Sequence, residues 1–430
     1  MSAAHPRICC LDLDTFFVSV ERILDPALEG KPVIVGGRPG ARGVVTSCSY
    51  EVRALGVRSG MSLAAAARLA PRAVFVETRH DLYEPYSRAV REIARRFSPV
   101  VQVASIDELY MDFAGCERMY RRVQKRGSDD RVSDDAVIRG VVCEMTAAIT
   151  AELRLPASAG IATSRSMAKV ASGLAKPAGV LLVPAGEEAA VLAPLPVRRL
   201  PGIGPVAEAK LSALGLRTLG EVAAAPLGAL RGVFGAWAEN VRDGALGRGS
   251  ADLSRDRPAF KEHDVEGDAA GSLSNERTFR RDVSDPAIIE SRLASLCERV
   301  CWRARQRGVE ARTVTLKLRY ADFETISRSK TIEPTSSEFE LLPVVREIFA
   351  RARTRRRAPI RLLGIALSNL GRFDGQLALF HDDRRRNEAV DAIRVKFGYD
   401  SIGVASGRLE RQPSSAAKTS SSGTRRSAPS

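Results

Sequence analysis

Three acidic residues at the ends of apolar runs carry the first chemical message of this chain. Asp12 closes the run Ile8-Cys9-Cys10-Leu11, and Asp107-Glu108 close Val100-Val101-Gln102-Val103-Ala104-Ser105-Ile106. A carboxylate that leaves a buried strand is costly unless something cationic receives it. Two such strands side by side make an oxygen-rich pocket suited to Mg²⁺, the ion that commonly manages phosphate chemistry. If Asp12 and Asp107 bridged two ions about 4 Å apart, with the Leu13 carbonyl and Glu108 completing the shell, one site could activate a hydroxyl and stabilise a departing phosphate. Solvated acids at strand ends are the plainer alternative, and spacing alone leaves both open.

The elements that must position these acids can be read from periodicity. Residues 8–14 read as a strand and Phe16–Ile23 as a helix start. Residues 30–79 form a small αβ insert with strands at Val33–Val35 and Val44–Thr46. Residues 82–97 place Tyr83, Tyr86, Val90, Ile93, Ala94 and Phe97 on one side of a helix. A hairpin follows, Val100–Ala104 and Leu109–Phe113, whose turn holds Ser105-Ile106-Asp107-Glu108. A flat strand points neighbours to opposite faces, so placement at the turn is what lets Asp107 and Glu108 share a pocket. Residues 117–134 are charged and read as an excursion. A helix from about Asp135 to Leu153 and a strand at Ala157–Ala162 complete a β-α-β-β-α-β, ferredoxin-like order. A further helix, Ser164–Ala175, ends at Lys176-Pro177.

Beyond this point the chain changes character. Residues 186–248 are short helices punctuated by Gly and Pro, and 249–271 read as a polar linker. Residues 272–370 repeat the β-α-β-β-α-β rhythm: Leu273–Phe279, helix Pro286–Gln306, Ala311–Arg319, Glu324–Ile332, helix Ser337–Arg351 and Ile360–Leu370. The segment Asp382–Leu409 reads as helical, and residues 411–430 have a disordered composition.

Composition narrows the class. At 430 residues several domains are expected, and 44% hydrophobic content is ordinary for a globular protein. No apolar run approaches membrane-spanning length, and the N-terminus, Met1 to Arg7, lacks a signal-peptide core, so a cytoplasmic location is expected. Seven cysteines without a CxxC pair suggest neither a disulfide framework nor a zinc site. Cys297 and Cys301 fall in a helical apolar stripe and read as core. The four histidines show no ligand spacing. A formal charge of +15 points to a polyanionic partner.

The strings Leu11-Asp12-Leu13-Asp14-Thr15-Phe16-Phe17, Ser47-Cys48-Ser49-Tyr50-Glu51-Val52-Arg53 and Ser105-Ile106-Asp107-Glu108 resemble the Y-family translesion DNA polymerases, closest to their DinB branch. The likeness continues through Leu174-Ala175-Lys176-Pro177-Ala178-Gly179, Leu200-Pro201-Gly202-Ile203-Gly204 and Val314-Thr315-Leu316-Lys317, covering roughly residues 7–380. It implies an α+β multidomain, right-hand polymerase: a ferredoxin-like palm (1–29 and 80–185), small fingers (30–79), a helical thumb with a helix–hairpin–helix (186–248), a linker (249–271) and an α/β little finger (272–370). Residues 371–430 would hold a clamp-binding motif, a helical segment and a disordered tail.

The resemblance also implies roles. Asp12, Asp107 and Glu108 would be catalytic and hold two Mg²⁺ ions, with Leu13 lending its backbone oxygen. Phe17 would be a steric gate that excludes a 2′-hydroxyl, though a lone Phe there could equally be core. Phe16, Phe17, Ser47, Tyr50, Arg53 and Lys176 would contact the incoming nucleotide, since hydroxyls, a guanidinium fork and an ammonium suit phosphate oxygens. Ser47 stands where the family usually has Thr, which keeps the hydroxyl. Gly202, Ile203, Gly204 and Lys210 would bind a DNA phosphate at a helix N-terminus, or form an ordinary glycine turn. Arg312, Lys317, Arg319, Arg328 and Lys330 could track the DNA backbone, or merely solvate a sheet face. Gln376, Leu377, Leu379 and Phe380 resemble a peptide that docks on a sliding clamp, the β subunit, through an extended backbone and apolar anchors.

The implied protein is a template-directed, error-prone polymerase without proofreading, acting as a monomer on primer–template DNA and deoxynucleoside triphosphates. Two rivals differ in class. A catalytically dead adaptor between clamp and other polymerases is expected to lack the metal carboxylates. A plain helix–hairpin–helix DNA-binding protein would need neither those acids nor Phe17.

Overall fold

A computed structural model describes residues 5–123, 133–253, 271–372 and 383–403. The chain divides into two compact units, Met1–Glu262 and His263–Ser430.

In the first unit β1 (Ile8–Leu13) leads into α1 (Phe16–Leu24). A small lobe follows: β2 (Val33–Val35), β3 (Ser47–Cys48), α2 (Tyr50–Ala54), α3 (Leu63–Leu69) and β4 (Val74–Val76). Its three strands run in the order β3-β2-β4 around a core of Ile34, Val45, Val52 and Leu63. Then come α4 (His80–Arg95), β5 (Val100–Val103), β6 (Glu108–Asp112), α5 (Glu117–Val123), α6 (Asp134–Leu153), β7 (Ala157–Ala162), α7 (Arg165–Ala175) and β8 (Val180–Leu182). The main sheet is ordered β5-β6-β1-β7-β8. β1 lies at its centre, antiparallel to both β6 and β7, which is why its apolar residues are buried on both faces. Tyr83, Val90 and Ile93 of α4 and Ile138, Val141, Met145 and Ile149 of α6 seal one face. The other face takes Met167, Ala168 and Ala171 of α7.

The seat of α7 depends on one missing side chain. A Cβ on Gly160 of β7 would lie 2.1 Å from the Ser172 nitrogen and 2.2 Å from the Ala168 oxygen. Glycine is what lets this helix lie directly on the strand. The unit ends in short helices, α8 (Glu188–Leu192), α9 (Pro205–Ala213), α10 (Leu219–Ala224), α11 (Leu227–Phe234) and α12 (Ala238–Ala245), around Leu200, Leu211, Leu219 and Leu230.

The second unit holds β9 (Ser272–Val283), α13 (Pro286–Arg305), β10 (Glu310–Tyr320), β11 (Thr325–Thr335), α14 (Glu338–Arg355), β12 (Ile360–Gly371) and α15 (Asp383–Phe397). The sheet order is β11-β10-β12-β9. Leu316, Leu318, Leu363 and Ile365 pack against Leu293, Leu296 and Val300 of α13 and Leu341 and Val345 of α14. Cys297 and Cys301 are buried in the same helix, as their spacing implies. α15 joins this body through ion pairs. Asp391 receives two nitrogens of Arg305, at 2.8 and 2.9 Å, and Arg305 also meets Glu338 at 2.6 Å. Arg394, 0% exposed, pairs with the buried Glu298, and Tyr399 packs on Trp302 with centroids 4.9 Å apart.

Differences from the sequence reading are local. The strand expected at Val44–Thr46 is shifted to Ser47–Cys48, with Val44 making only an isolated bridge to Ser62. β8 was not anticipated; it adds a fifth strand parallel to β7. The charged excursion begins as helix α5. The C-terminal helix stops at Phe397, before Gly398, whose φ of +90° suits glycine. Among the described residues no helix is long and apolar enough to cross a membrane.

Gly160→Ala should push α7 off β7. The expected loss is about 1–3 kcal/mol or more, the usual range for overpacking a close contact, and urea denaturation measures it.

Candidate active site

The acids meet because of strand register. Asp12 pairs directly with Glu108 on β6 and with Ser158 on β7. The next amide, Leu13, donates to the Asp107 carbonyl at 2.9 Å. Glu108 is thus the first residue of β6, while Asp107 lies just before it and escapes the strict alternation of a strand. Ser105 holds Asp107: its hydroxyl donates to the Asp107 carboxylate and accepts the Asp107 N–H at 3.3 Å. All three acids therefore sit at one end of the central strands, as their flanking apolar runs imply.

Counter-charge comes from α7 and the residue after it. Lys169 contacts Glu108 at 2.5 Å, and Lys176 donates to Asp12 while lying 3.7 Å from Asp14. Burial pushes the Asp12 carboxyl above the usual aspartate range; Lys176 pulls it back, and Asp107 and Glu108 push it up again. Burial pulls the Lys169 ammonium down, but its contact with Glu108 outweighs this and the net shift is upward. The pocket thus gathers negative charge only with cations beside it. Among the described residues no three His, Cys, Asp or Glu side chains are drawn together as a ready metal cluster, the two lysines being in contact with Glu108 and Asp12 instead. The donor set itself, carboxylates carried on adjacent strand ends, is the hard-oxygen chemistry that Mg²⁺ takes.

Asp14 is the residue that sequence reasoning missed. It is 1% exposed and saturated: Tyr50 donates to Oδ1 at 3.1 Å, and Ser158 Oγ and the Ala178 N–H donate to Oδ2 at 2.8 and 2.7 Å. The available signal was its spacing, two residues beyond Asp12. Through Asp14 the small lobe, β7 and the turn after Lys176 are tied to β1. Burial and the neighbouring Asp14 both raise the Tyr50 phenol, keeping it a donor. Arg53 stacks over the Tyr50 ring at 5.2 Å and donates from Nε to the Cys48 carbonyl at 3.1 Å. Ser47 is buried in β3. Lys176 therefore touches Asp12, while Tyr50, with Arg53 against its ring, is held at Asp14 two residues on. Phe17 is half-buried and stacks on Tyr83 at 4.2 Å. The Phe16 ring is buried in the core, which leaves that residue only its backbone for any nucleotide contact.

The remaining candidates lie elsewhere. Gly202, with φ of +93°, passes so close to Trp237 that a Cβ would lie 2.5 Å from the indole. Ile203 is buried, Gly204 caps α9, and the exposed Lys210 helps line an open cavity of about 320 Å³ with both glycines. In the second unit the five basic residues do not share one face. Lys317 and Arg319 alternate with the buried Leu316 and Leu318 and so point away from the helices. Arg328 and Lys330 pair in register with Leu316 and Val314, which turns them to the helix side, where Lys330 meets Glu347 of α14 at 2.5 Å. Arg312 sits at the register shift between Ala311 and Thr313. Lys317 reaches Glu276 at 2.7 Å across Gly364, which has no side chain to block it. Gln376, Leu377, Leu379 and Phe380 lie outside the described residues.

Comparison with known proteins places this arrangement. Residues 11–173 match the model of the impB/mucB/samB family, 270–379 match that family's C-terminal domain, and 185–216 match the HHH motif of the same family. A DNA polymerase IV of Dehalococcoides mccartyi is 37% identical over 400 residues, spanning 92% of this chain and 96% of that one. The chain belongs to the impB/mucB/samB family, in its DNA polymerase IV branch. A DNA polymerase IV of Caulobacter vibrioides is 35% identical over 414 residues, covering 95% and 94% of the two chains. Among solved structures, a Y-family DNA polymerase chimera, Dbh-Dpo4(243-245)-Dbh, matches with a TM-score of 0.67 at 23% identity, over 84% of this chain and 98% of that one. An insertion ternary complex of Dbh DNA polymerase matches with a TM-score of 0.54 and the same identity and coverage. The right-hand, multidomain α+β fold expected from the sequence is the fold of the family.

Asp14→Ala would strand three donors, of which Ser158 is buried in β7 while Tyr50 and Ala178 can turn to solvent. The expected cost is about 1–3 kcal/mol of unfolding free energy, read by chemical denaturation.

Proposed function

We propose that this chain is a DNA-directed DNA polymerase that extends primers across damaged template bases, with low fidelity and no proofreading. The observation that carries the reading is the meeting of Asp12, Asp107 and Glu108 at adjoining strand ends, in a chain alignable almost end to end with DNA polymerase IV relatives. We assign residues 1–29 and 80–185 to the palm, 30–79 to the fingers, 186–248 to the thumb and 272–370 to the little finger, with 249–271 as linker. The inactive-adaptor alternative is not favoured, because an adaptor needs none of these carboxylates.

Asp12, Asp107, Glu108 and the Leu13 carbonyl would hold two Mg²⁺ ions. Those ions, when bound, supply charge neutralisation and lower the pKa of the attacking hydroxyl. The chain's own groups do the positioning. Ser47, Tyr50, Arg53 and Lys176 hold the triphosphate, with Asp14 keeping Tyr50 and the Lys176 turn in place. Phe17 lies under the sugar and excludes a 2′-hydroxyl. The primer and template backbones run over the Gly202-Ile203-Gly204 hairpin with Lys210, and over the open face of the little-finger sheet with Lys317 and Arg319. Such contacts carry no sequence information and weaken steeply with salt. Gln376, Leu377, Leu379 and Phe380 dock on the sliding clamp, and the polymerase works as a cytoplasmic monomer.

Primer extension with Mg²⁺ tests the central assignment. Asp107→Ala should lose more than the roughly 100-fold that even outer-shell residues can cost; unchanged extension would remove the acids from the account. Internal deletion of residues 376–380 should leave unassisted synthesis intact and abolish its stimulation by clamp, measured as products per binding event.

A further inference from the structure

We infer that Glu21 and Tyr83 are positioning residues for sugar selection: together they fix the Phe17 ring and so set how strictly ribonucleotides are rejected. The inference rests on reading Phe17 as the gate beneath the sugar.

Glu21 follows Phe17 by four residues on α1, one turn along the same side of the helix. It is 1% exposed, an unusual place for a carboxylate that touches none of Asp12, Asp107 or Glu108. Its charge is matched by Arg79, whose Nε donates to Oε1 at 3.1 Å and whose Nη2 donates to Oε2. The remaining partner is Tyr83, fully buried, which donates its hydroxyl to Oε1 at 2.6 Å. That bond pins the far end of the Tyr83 ring. Phe17 lies on this ring, nearly parallel at 19° with centroids 4.2 Å apart, while the exposed His80 meets Phe17 edge-on at 88° and 5.5 Å.

Packing alone would ask only for an apolar ring behind Phe17. A tyrosine tethered to a buried, ion-paired carboxylate costs desolvation and gives a fixed position in return. Position is what a gate needs, because discrimination by one hydroxyl depends on where the ring edge stops. A misplacement of about 1 Å can change a rate by about 100-fold. Glu21 and Tyr83 touch no reacting atom; they act through Phe17.

Single-nucleotide insertion kinetics with a deoxynucleotide and its ribonucleotide decide the matter, using kcat/KM for each. Phe17→Ala is the control and should relax selection. Tyr83→Leu should raise the ribonucleotide-to-deoxynucleotide ratio by about 10-fold or more, with deoxynucleotide insertion changed only a few-fold. Tyr83→Phe, which keeps the ring and loses the tether to Glu21, should raise it by a smaller factor, and His80→Ala likewise. A wild-type ratio in active Tyr83→Leu, alongside a relaxed Phe17→Ala, overturns the inference and leaves the gate standing. A wild-type ratio in Phe17→Ala overturns the gate reading itself. Should Tyr83→Leu fail to fold, wild-type ratios in both Tyr83→Phe and His80→Ala overturn the inference.

Discussion

Negative charge packed at the open end of β1 is the constraint around which the first unit is built. Asp12 on β1 and Asp14 in the turn just after it are two residues apart, with Glu108 directly across from Asp12. The structure resolves the charge in two different ways. Asp14 is bonded by a phenol, a hydroxyl and an amide, with the Lys176 ammonium only 3.7 Å away. Asp12 and Glu108 are met by lysine ammonium groups, mobile point charges that other cations can displace. A fixed carboxylate beside two exchangeable ones separates scaffolding from chemistry within a few ångströms. Gly160 belongs to the same logic, because it sets how near α7, with Lys169, can come to the strand.

Much of this was legible in the sequence because burial and charge conflict so plainly there. Apolar runs ending in acids marked β1 and β5, and the turn after β5 delivers the second pair of acids to β6, the strand beside β1. What was not legible needed three-dimensional neighbours. Asp14 looks like any strand-end acid until Ser158 and Ala178, far along the chain, close on it. Glu21 looks like a solvated helix residue until Arg79 and Tyr83 cover it. The shift of β3 from Val44–Thr46 to Ser47–Cys48 is a register effect that apolar content cannot fix in so short a strand. Arg328 and Lys330 were grouped with Lys317 and Arg319 by type, yet the pairing of Arg328 with the buried Leu316 sends them to the opposite face.

The basic excess of the chain also reads differently once partners are seen. Arg305, Arg394, Lys317 and Lys330 are each engaged by acids of the second unit. Their charge organises that unit before it can attract anything else. The +15 total is already net of those acids, so the excess open to a polyanion sits on other cations, such as the exposed Lys210. Surface pairs of this kind are individually weak, so Lys317 can leave Glu276 for a phosphate at little cost.

The docking of α15 has a consequence for how the C-terminus can be shortened. Glu298 is 1% exposed and its guanidinium partner comes from Arg394, beyond the clamp-like peptide in the chain. A stop codon placed just after that peptide would take Arg394 from the buried Glu298 and Asp391 from Arg305. Breaking a buried ion pair by removing one partner typically costs about 3–5 kcal/mol. α15 is thus a keystone of the second unit, and a protein clipped ahead of it would weaken that whole body along with losing its tail.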